Sequence, residues 1–341
     1  MVGSSDFADR CAKAGRLICG RSWRIPWTAH EVRPIDGVWL WVDGNAPGFR
    51  TQRRRWSGED PDDSTHPGTR FRHVGEVEFS LLSALRFCPW LRRLLVITGF
   101  GERPRLADRY PDRIRVVDHR EFIPGDHLPL FNSQALECWL DRIPGLSERF
   151  LYFNDDTFVG RPLSPLDWYD PRRDKILLRE DRGRGFAPKV GEEGSDANLH
   201  LRAIANTEEL LDRHFGTRRR FHVHHQVRLV SRGGMAAGRR IAGRRWETTA
   251  RSRFRSEGDI GPLHLAFHCD HQRGRGTIRN DLLAIFAYLD DPEFPEHLAR
   301  VERLRPPLFC LNDGEHPVPE HRHMMAGMLR RYYLDNASPV G

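Results

Sequence analysis

The chain has 341 residues, 39% of them hydrophobic and 30% charged, with a formal net charge of +7. That suits one large α/β domain or two modest ones; it excludes a membrane-spanning helix, since no run reaches about 18 apolar residues, and the stretch at 17–20 is too short and too interrupted by arginine to be a signal peptide. The six cysteines are scattered without C-x-x-C spacing, which speaks for reduced thiols in a cytoplasmic protein and against a zinc site or a disulfide framework.

Only Lys13, Lys175 and Lys189 are lysine, so 51 of the 54 basic residues are arginine. Guanidinium groups suit bidentate recognition of phosphate and carboxylate, although GC-rich coding would produce the same bias. The basic runs at 53–55, 218–220 and 244–245 lie far apart without interleaved aromatics, so nucleic acid is not an expected partner.

In chain order, residues 1–34 read as an N-terminal extension with weak periodicity. The first clear strand is 35–42, ending at the turn Asp43-Gly44-Asn45, and a polar loop is expected over 45–69. Apolar positions at helical spacing (Val77, Leu81, Leu82, Leu85) predict a helix over 75–88, stopped by Cys88-Pro89. Short apolar strands follow at 94–98 and 114–117, then a helix over 132–142 opened by Asn132-Ser133, then a strand at 150–153 cut off by Asn154-Asp155-Asp156. A connection is expected at 179–198, helical stretches near 207–215 and 279–290, and a last helix at 318–334. Alternating strands and helices predict an α/β fold: a parallel-rich sheet with helices on both faces, plus a mostly helical second half. The domains expected are a nucleotide-sugar-binding core at 35–178, a linker at 179–198, and a second half at 199–341 that completes the site.

Ligands of such sheets sit at the carboxyl ends of the strands, where both Asp43-Gly44 and Asn154-Asp155-Asp156 fall. Two carboxylates after a hydrophobic strand can hold a hard cation against a diphosphate; the bland alternative is an Asx turn that ends the strand. Glu137, on the helix before that strand, is either a general base or a solvated helix residue. In the cluster His222-Val223-His224-His225, strand alternation would put His222 and His224 on one face, and their imidazoles suit proton transfer or metal binding. Arg253-Phe254-Arg255 could clamp a phosphate.

Together these segments resemble the Stealth family, whose members include bacterial capsule and exopolysaccharide phosphotransferases and the catalytic subunit of animal N-acetylglucosamine-1-phosphotransferase. The resemblance runs in order through 35–44, Arg70-Phe71-Arg72, Cys88-Pro89-Trp90, the long segment 127–156, the histidine cluster with 253–259, and Phe309-Cys310-Leu311-Asn312-Asp313. It implies a sheet of the nucleotide-sugar (GT-A-like) type. It also implies transfer of a sugar 1-phosphate from a nucleotide sugar to a glycan acceptor hydroxyl, with release of the nucleoside monophosphate. Carried over by position, it gives active-site roles to Glu137, Asp156, a histidine of the cluster and Arg255. Spacing favours His222, although His224 stands where a proline is expected. Substrate contacts are expected from Asp43, Gly44, Arg72, Asn132, Ser133, Asn154, His225, Asn312 and Asp313. On chemical grounds Asp155 and Asp156 would hold Mg²⁺ or Mn²⁺ on the donor diphosphate.

The chain departs from the family pattern at His73, where an Asp is usual, at Glu78 and Leu82, where two arginines are expected, at Leu40, and in the turn 99–102. Loss of two arginines on one helix face would remove a phosphate or acceptor contact. Two rival readings follow: an ordinary nucleotide-sugar glycosyltransferase, which releases a diphosphate, and an inactive glycan-binding relative. A basic surface would favour peripheral association with the inner face of an anionic membrane.

Overall fold

The computed structural model describes residues 33–58, 75–180, 196–217, 221, 223, 225–314 and 318–335. The principal sheet contains β1 (Ile35–Leu40), β2 (Leu94–Thr98), β3 (Ile114–Asp118), β4 (Arg149–Asn154) and β8 (Arg228–Ser231), in the order β3-β2-β1-β4-β8. The first four strands are parallel, and β8 closes the edge antiparallel to β4. β2 is buried along its whole length and β1 nearly so, as expected of strands covered on both faces.

Alternation along β1 and β4 shows what covers each face. Trp39 stacks on Phe153, its neighbour in register, at 4.0 Å. Its indole N–H donates to Ser80 Oγ at 2.9 Å, on α2 (Glu76–Phe87). Tyr152 points to the other face. There it meets α4 (Ser133–Glu137) and the Arg228 guanidinium, which also lies over Phe267 of α8 (Pro262–Gln272). Helices therefore lie on both faces, as the alternating pattern predicted.

Two small sheets extend this layer. β5 (Thr157–Val159) pairs with β11 (Leu308–Asn312), itself parallel to β10 (Ala284–Tyr288), and β7 (Lys175–Leu178) lies between β6 (Tyr169–Asp170) and β9 (Gly276–Ile278). The chain is thus stitched across its length. β8 completes the main sheet, β11 completes β5, and the phenols of Tyr332 and Tyr333 donate to the carbonyls of Gly160 and Val159. A Cβ at Gly160 would stand 2.1 Å from the Pro306 carbonyl oxygen, so this close approach requires glycine.

The second half also contains α5 (Asp196–Phe215), α6 (Arg232–Ala242), α7 (Arg244–Arg251), α9 (Phe294–Leu304) and α10 (Pro319–Arg330). Among the described residues no helix is long and apolar enough to cross a membrane. Of the expected linker, 181–195 lie outside the described residues, as do residues 1–32 of the N-terminal extension.

Three expectations need correction. The loop expected at 45–69 contains α1 (Pro47–Ser57), opened by Pro47 and closed by Gly58 in the left-handed region at φ 72°. Only Phe49 of this helix is buried, which is why its sequence reads as loop. The helix expected over 132–142 is the five-residue α4 followed by a 3-10 turn at Leu140–Arg142. The stretch 279–290 contains a strand, β10, with Ile285 and Ala287 buried between partly exposed neighbours. Periodicity does not separate a short apolar run of this kind from a helix.

Asp36, fully buried at the start of β1, holds the strand's entry. It accepts two hydrogen bonds from Arg92 at 2.9 and 2.6 Å and one from the Ser147 N–H at 3.0 Å. Burial alone would raise its pKa, but Arg92 and the Ser147 amide outweigh it and hold the carboxyl below its ordinary 3.8. Its stabilising contribution is therefore full above that value and is lost as pH falls through the depressed one. Asp36→Asn is expected to lower the unfolding free energy by about 1–2 kcal/mol near neutrality, a figure discounted for the exposed end of Arg92. In urea titrations the gap to wild type should narrow below pH 3.8; a gap independent of pH would exclude the ion pair as its source.

Candidate active site

The strand order reverses between β1 and β4: β1 leads on to β2 on one side and has β4 on the other. Leu40 and Asn154 are the last residues in register, so the loops that leave these two strands diverge and open a crevice at the carboxyl edge. One wall is the turn after β1, where Asp43 Oδ1 accepts the Asn45 N–H at 2.9 Å and Gly44 occupies the turn into α1. The other wall is Asn154-Asp155-Asp156.

This acidic turn is held from three sides. Thr157 Oγ1 accepts the Asn154 N–H and donates back to the Asn154 carbonyl, an arrangement that fixes the turn. The Asn154 side-chain amide lies 2.9 Å from His225 Nε2. Asp156 Oδ2 accepts from Asn312 Nδ2 at 2.9 Å and from the Cys310 thiol at 3.3 Å, both on β11. Asp156 Oδ1 is buried with no hydrogen-bond partner among the described residues.

A buried carboxylate oxygen left unpaired is costly, and the electrostatics agree. Burial, then the neighbouring Asp156 and Glu76, push Asp155 well above the usual carboxylate range. Burial likewise raises Asp156 despite its hydrogen bonds. Two such carboxylates fit a hard divalent cation, which would remove their repulsion and give Oδ1 a partner. Ligand atoms of Asp156, His225 and Cys310 also lie within 4.8 Å of one another. Burial and the two acids push the Cys310 thiol far up, so it remains a protonated donor to Asp156 rather than a thiolate ligand.

Across the crevice, Asn132 caps α4 by accepting the Gln134 N–H. Its Nδ2 donates to Asp259 at 2.8 Å, and Asp259 also accepts from Ser256 N–H and Oγ. Asn132 is fully buried, so it ties the 252–261 loop to α4. That loop brings Arg255 Nη2 to 3.3 Å from Ser133 Oγ.

Glu137 closes α4 and accepts the Tyr152 hydroxyl at 3.1 Å. Burial lifts its pKa to about 7, against the opposing pull of Arg228, Tyr152 and Arg255. A carboxyl raised to about 7 and hydrogen-bonded by a phenol can exchange a proton at neutrality.

Aromatic contacts hold these loops in one arrangement. Phe49 of α1 meets Phe100, after β2, at 5.2 Å; Phe100 stacks on Phe131, before α4, at 5.4 Å; Phe131 stacks on Phe254, beside Arg255, at 5.0 Å.

Of the residues predicted from sequence, Asn154, Asp156, His225 and Asn312 come together in one cluster with Asp155 beside them, and Glu137, Ser133 and Arg255 in another. Asp313 lies just past β11 but is held by the Arg322 guanidinium of α10. His222, Arg72 and His73 lie outside the described residues. The departures at 78 and 82 have partners within the fold. Glu78 is 7% exposed and caps α3 (Arg105–Arg109) by accepting the Arg105 and Leu106 N–H groups, and Leu82 is buried in the core. At these two positions the structure shows a helix cap and a core side chain. Sequence reasoning missed Tyr152, Arg228 and Cys310. Strand alternation could have set Tyr152 on the face opposite Phe153, and Cys310 lies inside the motif at 309–313; nothing in the sequence marked Arg228.

With this geometry in place, the relatives become informative. Residues 70–176 match conserved region 2 of the Stealth proteins. Exopolysaccharide phosphotransferase SCO6023 of Streptomyces coelicolor is 34% identical over 98% of this chain and 56% of its own length. The chain thus resembles the Stealth proteins in sequence. Exopolysaccharide phosphotransferase CpsY of Mycobacterium tuberculosis is 31% identical over 90% of this chain and 58% of its own. This chain thus spans a little over half the length of these curated relatives. Among solved structures, galactosyltransferase LgtC in complex with donor and acceptor sugar analogues is similar at a TM-score of 0.44 and 13% identity, over 90% of this chain and 98% of that one.

The Tyr152 hydroxyl lowers the pKa of Glu137 by hydrogen bonding. Tyr152→Phe is expected to move the Glu137 titration above about 7, read by carboxyl ¹³C NMR on selectively labelled protein. An unchanged midpoint would mean that the phenol does not act on this carboxylate.

Proposed function

We propose that this chain is the catalytic part of an exopolysaccharide phosphotransferase. It takes a nucleotide sugar as donor and a glycan hydroxyl as acceptor, transfers the sugar 1-phosphate, and releases a nucleoside monophosphate. The observation that carries this reading is a pair of charge clusters joined by one guanidinium: Arg228 acts on both Glu137, which Arg255 also influences, and Asp156, which lies beside Asp155. The match of residues 70–176 to conserved region 2 of the Stealth proteins and the names of the relatives support it.

Phosphoryl transfer needs positioning and charge neutralisation more than covalent catalysis. Asp155 and Asp156 would hold Mg²⁺ or Mn²⁺, which when bound neutralises diphosphate charge. Arg255, steadied by Ser133, pairs with oxygens of the transferred phosphate. Glu137 takes the proton of the acceptor hydroxyl as its oxygen forms a bond to the phosphorus of the sugar phosphate. The bond from that phosphorus to the bridging oxygen breaks, and the nucleoside monophosphate leaves with the electron pair. Asn154 and Asn312 orient the acidic turn through His225 and Asp156. The basic surface supports association with anionic polymer or lipid.

Incubation with a panel of nucleotide sugars, Mg²⁺ or Mn²⁺ and glycan acceptors should yield acceptor-dependent nucleoside monophosphate. Asp156→Asn and Arg255→Ala should each lower the rate about 10²-fold or more while circular dichroism stays unchanged. Release of a nucleoside diphosphate would establish glycosyl transfer instead, and donor binding without turnover would favour the inactive relative. The rate should fall as pH drops below about 7, because Glu137 then carries a proton. Glu137→Gln should abolish that acidic limb along with most of the activity; a limb that survives in the residual rate would assign it to another group.

A further inference from the structure

A second group of metal-ligating side chains lies between α5 and α8 and shares no residue with the crevice. His264 and His268 are four residues apart on α8, one turn of helix, and therefore on one face. Glu208 of α5 meets both: its Oε1 is 2.6 Å from His264 Nε2 and 3.9 Å from His268 Nε2. The ligand atoms of all three lie within 4.8 Å of one another. The imidazoles are 7% and 1% exposed, and the Glu208 side chain keeps 25%, so the group is enclosed on the helix side and open to solvent past the carboxylate.

We propose that Glu208, His264 and His268 form a binding site for a divalent transition-metal ion of the zinc class. Two neutral imidazoles and a carboxylate are a donor set that suits Zn²⁺ and gives Mg²⁺ little. Tetrahedral ligands at roughly 2.0–2.1 Å from zinc stand roughly 3.3 Å apart, a spacing bracketed by the two separations from Glu208. Binding would replace the proton shared by Glu208 and His264 and release it to solvent. Glu208's exposed side leaves room for a water as the fourth ligand.

The position of the site gives the ion a structural consequence. The residues just before Glu208 already grip the Arg255 loop: Asn206 Nδ2 donates to the carbonyls of Glu257 and Asp259 at 2.7 and 2.8 Å, and Thr207 Oγ1 accepts the Gly261 N–H at 2.8 Å. An ion joining α5 to α8 would fasten both helices behind that loop. This inference is independent of the phosphotransferase reading, since its readouts are metal content and thermal stability.

The full chain, stripped by dialysis against a chelator, is titrated with Co²⁺ and with Zn²⁺. One equivalent of Co²⁺ should bind with the visible absorption of a four-coordinate nitrogen–oxygen site and should resist excess Mg²⁺. Saturating Zn²⁺ should raise Tm by roughly 3–6 °C. His268→Gln and Glu208→Gln should each lose that equivalent and the Tm response, whereas Asp156→Asn should keep both. No bound equivalent in the wild type, retention by the folded variants, or loss in Asp156→Asn alone would each overturn the site. Should His268→Gln fail to fold, Glu208→Gln, whose side chain is partly exposed, decides the question.

Discussion

The reversal of strand order between β1 and β4 is the constraint from which the site follows. Parallel strands that continue to opposite sides must send their exit loops apart, and backbone leaving at that point has no neighbouring strand to bond with. The chain fills the gap with short polar turns, which hydrogen-bond internally through Asp43 and Thr157. Acidic residues are natural in such turns, and the arginines gather on the wall beside Glu137.

That opposite wall shows how burial and charge are balanced. Glu137 is desolvated, which raises its pKa, yet Arg228, Arg255 and the Tyr152 phenol each favour its ionised form. The outcome, near 7, depends on both tendencies. Asp155 has no comparable guanidinium partner among its main influences, and burial, then Asp156 and Glu76, push it well above the usual carboxylate range. The crevice thus sets a carboxylate that can trade protons at neutrality opposite a carboxylate pair suited to a cation.

Much of this was legible in the residues. Strands 94–98 and 150–153, the helix over 75–88 and the acidic turn could be read because each is a buried run bounded by strong turn or proline signals. What could not be read depends on contacts remote in sequence. Helix α1 has one buried side chain, so no period marks it; β10 reveals its alternation only when β11 pairs with it. Glu78 looked like the loss of a binding arginine because nothing local shows that it caps α3. Arg228 acts on Glu137 only because β8 lies antiparallel to β4 and places it beside Tyr152. The ordered motifs were therefore more informative about the site than periodicity alone.

The late arrival of β8 bears on how the chain comes to be built. Until it pairs, β4 presents an unsatisfied ladder of amide and carbonyl groups on the edge of an otherwise complete parallel layer, a template for a neighbouring chain. β5 waits still longer, for β11. During synthesis the nascent sheet must therefore remain unfinished, or be shielded, until the ribosome has delivered strands from far downstream. A cut in the middle of the gene would yield not a smaller domain but a sticky half.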